Sequence, residues 1–171
     1  MNDHATPHST LIAPATIKVE RLLPGPLERV WSYITDGKKR ATWFAGGETE
    51  LRVGGRIELQ FDNNSLSKDR NKDAQPSRAE GRITRLEPNR LLAYSWTMWG
   101  QDTEVTFELA PRGKDVLLTI THVGLARDKH AKIMGGWDVH TGILADVLNG
   151  VEPRPFWKSH SRLEQQYQGS L

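Results

Sequence analysis

Among its 171 residues the chain has no cysteine. That excludes disulfides, thiol catalysis, zinc ribbons and iron–sulfur clusters, and it fits a reducing, cytoplasmic setting. No apolar run approaches the ~20 residues of a membrane span. Charge of one sign is also scarce, since 23 Lys plus Arg stand against 21 Asp plus Glu, a net of +2. Such a balance leaves no electrostatic footprint for nucleic acid, and no basic run exceeds Lys38-Lys39-Arg40.

Signature motifs are missing as well. There is no G-x-S-x-G for a nucleophilic serine. The pairs Gly46-Gly47, Gly54-Gly55 and Gly135-Gly136 match neither a dinucleotide fingerprint nor a phosphate loop, so they read as turns or close packing points. His122, His130 and His140 are eight and ten residues apart, unlike the i, i+4 pairs of helical zinc sites. The expectation is a protein with no metal, no cofactor, no membrane association and no nucleic-acid partner.

Hydrophobic patterning is plentiful. Residues 1–15 are polar, without the basic and apolar regions of a signal peptide, and read as a disordered tail. Thr16–Leu23 alternates as a strand. After Pro24-Gly25-Pro26, Leu27, Val30, Trp31 and Ile34 recur at helical spacing, and a second short helix is expected over Lys38–Trp43. Strands are expected at Glu48–Val53, Arg56–Asp62, Glu80–Leu86, Arg90–Met98, Thr103–Ala110 and Asp115–Val123, joined by turns short enough for an antiparallel meander. Residues 63–78 form a charge-balanced loop with no periodicity and no role legible from the sequence. A long helix follows over roughly Lys129–Asn149. Ile133, Trp137, Leu144, Val147, Leu148 and Val151 share one arc of it, with His140 and Thr141 inside that arc. Asp138, Gly142, Asp146 and Asn149 lie opposite. The division expected is a tail over 1–15, one domain over 16–151, and an extension over 152–171 with a short helix near Ser159–Gln168.

This order of elements is α+β: a curved antiparallel sheet of six or seven strands wrapped around a long C-terminal helix. The residues also resemble a known superfamily, the START-like or SRPBCC proteins with their helix-grip fold. Within it they are similar to the group named after the C-terminal domain of the activator of the heat-shock protein 90 ATPase. The resemblance runs from residue 17 to about 168. It is carried by PLERVW (Pro26–Trp31), Trp43-Phe44, VGGRI (Val53–Ile57), GRITRLEPNRLLAYSW (Gly81–Trp96), VTFEL (Val105–Leu109), THVGL (Thr121–Leu125), and Gly136-Trp137 with Leu144, Leu148 and Gly150. The PFW…LE…Y ending from Phe156 to Tyr167 recurs in bacterial members. The resemblance implies a fold; because the superfamily spans carriers, cyclases, oxygenase domains and co-chaperones, it does not imply one activity.

A sheet curved around a helix encloses an interior, and this fold binds apolar ligands there. Candidate ligand-binding residues are Trp43, Phe44, Phe61, Trp96, Trp137, His140 and His122. The wider aromatic set adds Trp31 and Trp99, and each member has two readings, core filler or cavity wall. His140, on an apolar arc, must be hydrogen-bonded or face a cavity; it either orients a ligand, acts as a base, or pairs with a strand group. His122 reads as a structural hydrogen bond near a strand end, with its inward or outward orientation open. The preferred function is binding of a small hydrophobic molecule under the long helix. The alternatives are a cyclase- or hydrolase-type enzyme using a cavity histidine, and a chaperone-interacting module. The last is disfavoured because the eukaryotic co-chaperones carry an additional N-terminal domain where this sequence has fifteen polar residues. A homodimer is compatible with a small domain of this kind, although no interface is legible.

Overall fold

A computed structural model describes residues 6–171. Seven strands form one antiparallel sheet: β1 (Ser9–Ala13), β2 (Thr16–Pro24), β3 (Arg56–Phe61), β4 (Ser77–Glu87), β5 (Leu91–Met98), β6 (Gln101–Arg112) and β7 (Asp115–Val123). Their order across the sheet is β1-β2-β7-β6-β5-β4-β3. Helices α1 (Leu27–Thr35) and α2 (Gly37–Arg40) link β2 to β3, while α3 (His130–Leu148) and α4 (Phe156–Ser170) follow the sheet. The architecture is the α+β helix-grip fold.

Period-2 side-chain alternation places one face of every strand on the core. Cross-strand register turns this into continuous rows. Ile17, His122, Val105 and Tyr94 are opposite one another across β2, β7, β6 and β5. A parallel row holds Val19, Ile120, Phe107 and Leu92. All eight residues are buried. Val116, Leu118, Ile120 and His122 share the inner face of β7, which answers the orientation left open for His122.

Four expectations are corrected. The 1–15 segment is no tail where it is described: Ser9–Ala13 pairs with β2, Ser9 opposite Val19 and Leu11 opposite Ile17. Residues 1–5 lie outside the described residues. Glu48–Val53 is not a strand and contributes only a single bridge, Thr49 to Ile57. There the backbone is clamped by Arg40, which is 1% exposed. Its guanidinium donates to the carbonyls of Ala45, Gly46, Gly47 and Glu58 and to Thr49 Oγ1. The 152–171 extension is a full structural layer, because Phe156, Ser159, Leu163 and Tyr167 of α4 are buried. Val151, assigned to the apolar arc, lies beyond α3 and is exposed.

The 63–78 loop has a structural task. Pro155 at the N-cap of α4 has no side-chain acceptor to offer. The loop supplies it from a distance: Ser67 Oγ accepts from the Phe156 amide at 2.9 Å and Asp69 Oδ2 from the Lys158 amide at 3.0 Å. Two orphan donors of the first turn are thereby satisfied. Trp157 Nε1 also donates to Asn64 Oδ1 at 2.8 Å. This fixes Phe156, whose ring forms part of the wall described next.

Candidate functional site

Helix α3 is buried on two faces, and the two differ. On the face toward α4 and β1, every acid has partners. Asp138 accepts from Ser9 Oγ, from Tyr167 Oη and from the His8 amide. Tyr167 Oη accepts in turn from the Ser9 amide at 2.9 Å, tying the first strand to the last helix. Burial pushes the Asp138 carboxyl up against these donors. Asp146 takes Nε and Nη2 of Arg154 at 2.8 and 3.0 Å, and the Arg154 amide at 2.9 Å. Gly142 lies directly under that guanidinium, so a Cβ there would stand 2.5 Å from Arg154 Nη1. Gly135 faces the α4 backbone, where a Cβ would meet Glu164 N at 3.2 Å.

The other face, carrying Ile133, Gly136, Trp137 and His140, borders a cavity of about 370 Å³. Its inner wall is aromatic. Phe61, Trp96 and His122 form a column of near-parallel rings, with centroids 5.6 and 5.2 Å apart. Trp137 meets Trp96 edge-on at 6.2 Å and stacks on Phe44 at 5.0 Å. Such geometries are the favoured ones for aromatic quadrupoles. Phe156 closes the wall against His140, 5.1 Å between centroids. At the mouth are exposed residues from β4, the end of β5, the β5–β6 turn and the start of α3: Ser77, Arg78, Thr97, Trp99 and Lys132.

Six of the seven residues proposed from the sequence border this cavity. Trp43 does not; it is fully buried, and its Nε1 donates to the Tyr33 carbonyl at 2.7 Å. Its contribution is its carbonyl, which accepts from His140 Nδ1 at 2.7 Å. A carbonyl only accepts, so Nδ1 carries the proton and Nε2 holds the lone pair. Nε2 has no hydrogen-bond partner among the described residues. Burial holds the His140 imidazolium down to about 4, opposed by the Trp43 carbonyl and assisted by nearby His160.

His122 is committed on both nitrogens. Trp137 Nε1–H donates to its Nδ1 at 3.1 Å, so Nε2 bears the proton and donates to Thr103 Oγ1 at 2.9 Å. The Thr103 hydroxyl in turn donates a hydrogen bond to the Trp96 carbonyl. Burial lowers this imidazole's pKa to about 3. With its lone pair occupied by an indole, His122 orders the wall and is unavailable as a base.

Several cavity residues were not foreseen: Asn63, Arg78, Lys132, Phe156 and His160. Asn63 Oδ1 is buried and accepts no hydrogen bond among the described residues. The only sequence signal for this group was the PFW segment containing Phe156. No group of three or more His, Asp or Glu among the described residues is placed to hold a metal ion. No helix among them is long and apolar enough to cross a membrane.

The family model of activator of Hsp90 ATPase homolog 1-like proteins matches residues 24–149. The chain belongs to that family. Its fold places this family in the START-like superfamily, and the cavity-lining residues from Phe44 to His140 lie inside the matched span. No protein of curated function matches the chain significantly. Among solved structures, a Bordetella parapertussis protein determined by solution NMR is 36% identical, with a TM-score of 0.79, covering 98% of this chain and 94% of that one. CalU16 from Micromonospora echinospora is 26% identical, with a TM-score of 0.71, covering 90% of this chain and 86% of that one. DynU16, from the dynemicin biosynthetic locus, is 21% identical at a TM-score of 0.66, covering 85% of this chain and 51% of that one, and shares the fold.

Proposed function

We propose that the protein binds a small, largely aromatic molecule in the cavity between α3 and the sheet, with His140 Nε2 accepting a hydrogen bond from it. The observation that carries this reading is the unequal treatment of His122 and His140. His122 is saturated by protein partners, whereas His140 is locked in one tautomer by Trp43 and keeps its acceptor for something else. A mainly apolar wall with a few fixed polar groups is the usual composition of small-molecule sites.

The enzyme reading is less well supported. A general base works best when its pKa is near the operating pH. His140, held at about 4, is a weak base suited to holding a donor in place. A co-chaperone role draws on the family name alone, and the cavity gives it no support.

A titration with 1-naphthol and with its methyl ether tests the proposal. The naphthol quenches tryptophan fluorescence and raises the Tm, the ether binds several-fold more weakly, and His140→Leu abolishes that difference. Failure of both compounds to bind overturns the reading.

A further inference from the structure

The cavity mouth carries an electrostatic asymmetry that the aromatic wall does not explain. Among the described residues that border the cavity, two are cationic, Arg78 and Lys132, and none is a carboxylate. Arg78 is paired, with Nη2 at 2.7 Å from Glu58 Oε1. Lys132 has no carboxylate partner among the described residues; its ammonium stands 5.6 Å from the centroid of the Trp99 ring. Lys129, loosely associated with Asp128 at 3.9 Å, brings a second ammonium to 5.1 Å from the same ring. Two cations therefore converge on one indole, 53% exposed, at the cavity mouth.

The backbone there is unusual as well. Trp99 and Gly100 form the tight β5–β6 turn with φ of 47° and 76°. That left-handed region suits Asn, Asp or Gly and is unfavourable for a bulky side chain. An indole held there against the local backbone preference, beside two lysines, is the kind of outlier that marks a functional position.

We propose that this mouth is an anion subsite and that the ligand is an aromatic anion. Its ring system occupies the cavity, and its carboxylate, sulfonate or phosphate lies against Lys132, flanked by Trp99. The inference rests on the ligand-binding reading above and adds the charge of the ligand. Physically, the cations gather anionic solutes from water, while the aromatic wall discriminates among them by their apolar part.

Two probes that differ by one sulfonate separate the claims: N-phenyl-1-naphthylamine and 8-anilinonaphthalene-1-sulfonate. Each is titrated by fluorescence against the wild type, Lys132→Gln and Lys132→Arg, at ~0.01 M and ~0.3 M salt. Mutual displacement of the probes establishes a shared cavity. The sulfonate is expected to bind the wild type about fivefold more tightly at low salt, the scale of one exposed charge pair. Lys132→Gln and high salt each remove most of that preference without changing affinity for the neutral probe, and Lys132→Arg restores it. Equal affinities with no salt dependence, or an equal loss for both probes in Lys132→Gln, overturn the anion subsite and leave the cavity reading standing. If neither probe binds, both fall.

Discussion

The two buried faces of α3 use polar residues in opposite ways. Toward α4 and β1, Asp138 and Asp146 are surrounded by their own donors, a methyl group at Gly142 would collide with Arg154, and one at Gly135 would be tight against the α4 backbone. Toward the sheet, Gly136 has room, its nearest neighbour lying 4.0 Å from where a Cβ would be, and His140 keeps a lone pair. A buried polar group with all its partners inside the protein is architecture. One that is oriented yet keeps an open acceptor beside a cavity is the feature on which the proposed ligand site rests. The same helix shows both, so burial alone does not separate them; the hydrogen-bond accounting does.

The largest test of the sealed face is Arg154→Met. It strands the Asp146 carboxylate in a buried site and should cost about 3–5 kcal/mol, measured by chemical denaturation. Asp146→Leu combined with Arg154→Met should recover much of that loss. A negligible cost for the single variant would mean that the face is not closed.

Acid tests the cavity face. Unfolded histidines titrate near ~6.5, while the folded values are about 3 for His122 and about 4 for His140. Below about 6.5 the unfolded chain therefore binds more protons, and stability falls as pH falls. Each histidine's slope rises toward about 1.4 kcal/mol per pH unit as pH falls below ~6.5, and integrates to about 2.2 kcal/mol between pH ~6.5 and ~4.5. A Tm profile over that window should fall steeply in the wild type and visibly less in His140→Gln. An unchanged slope would contradict neutral burial of that ring.

The glycines sharpen the contrast at smaller scale. Gly142→Ala pushes Arg154 off Asp146 and should destabilise by about 1–3 kcal/mol. Gly136→Ala, on the same helix, should stabilise by up to about 1 kcal/mol. Opposite signs are the point of the pair, and thermal melts of the two variants read it directly. Smaller still is Asp69→Ala, which removes a capping acceptor of α4 and should cost about 1 kcal/mol without affecting β1 or Asp138.

Much of this arrangement was legible in the residues. The alternation in Val105, Phe107 and Leu109 and the helical spacing of Leu27, Val30, Trp31 and Ile34 led to the strand and helix found there, because one-sided burial imposes a period. His122 was legible in principle. The turn pairing Arg112 with Asp115 forces Val105 opposite His122, so both must point the same way. The sealed face was not legible. Asp138, Gly142 and Asp146 look like a solvated stripe until Ser9, Tyr167 and Arg154 arrive from the two ends of the chain, and periodicity cannot see partners so distant in sequence. Nor could it see that Ser67 and Asp69 cap a helix almost ninety residues later. Trp43 was assigned to the cavity for its ring, when the part that serves the site is its carbonyl, a group that no side-chain pattern reports.

Gly136→Leu gives the most direct test that the sheet-side face of α3 is open to receive a ligand. Leucine at this position projects into the cavity without meeting the α4 backbone. Titration of wild type and variant with N-phenyl-1-naphthylamine, alongside their melting temperatures, separates blockage from unfolding. The expected result is loss of probe binding with an equal or higher Tm. Undiminished binding to a fully folded Gly136→Leu protein would show that the cavity is not where the ligand goes.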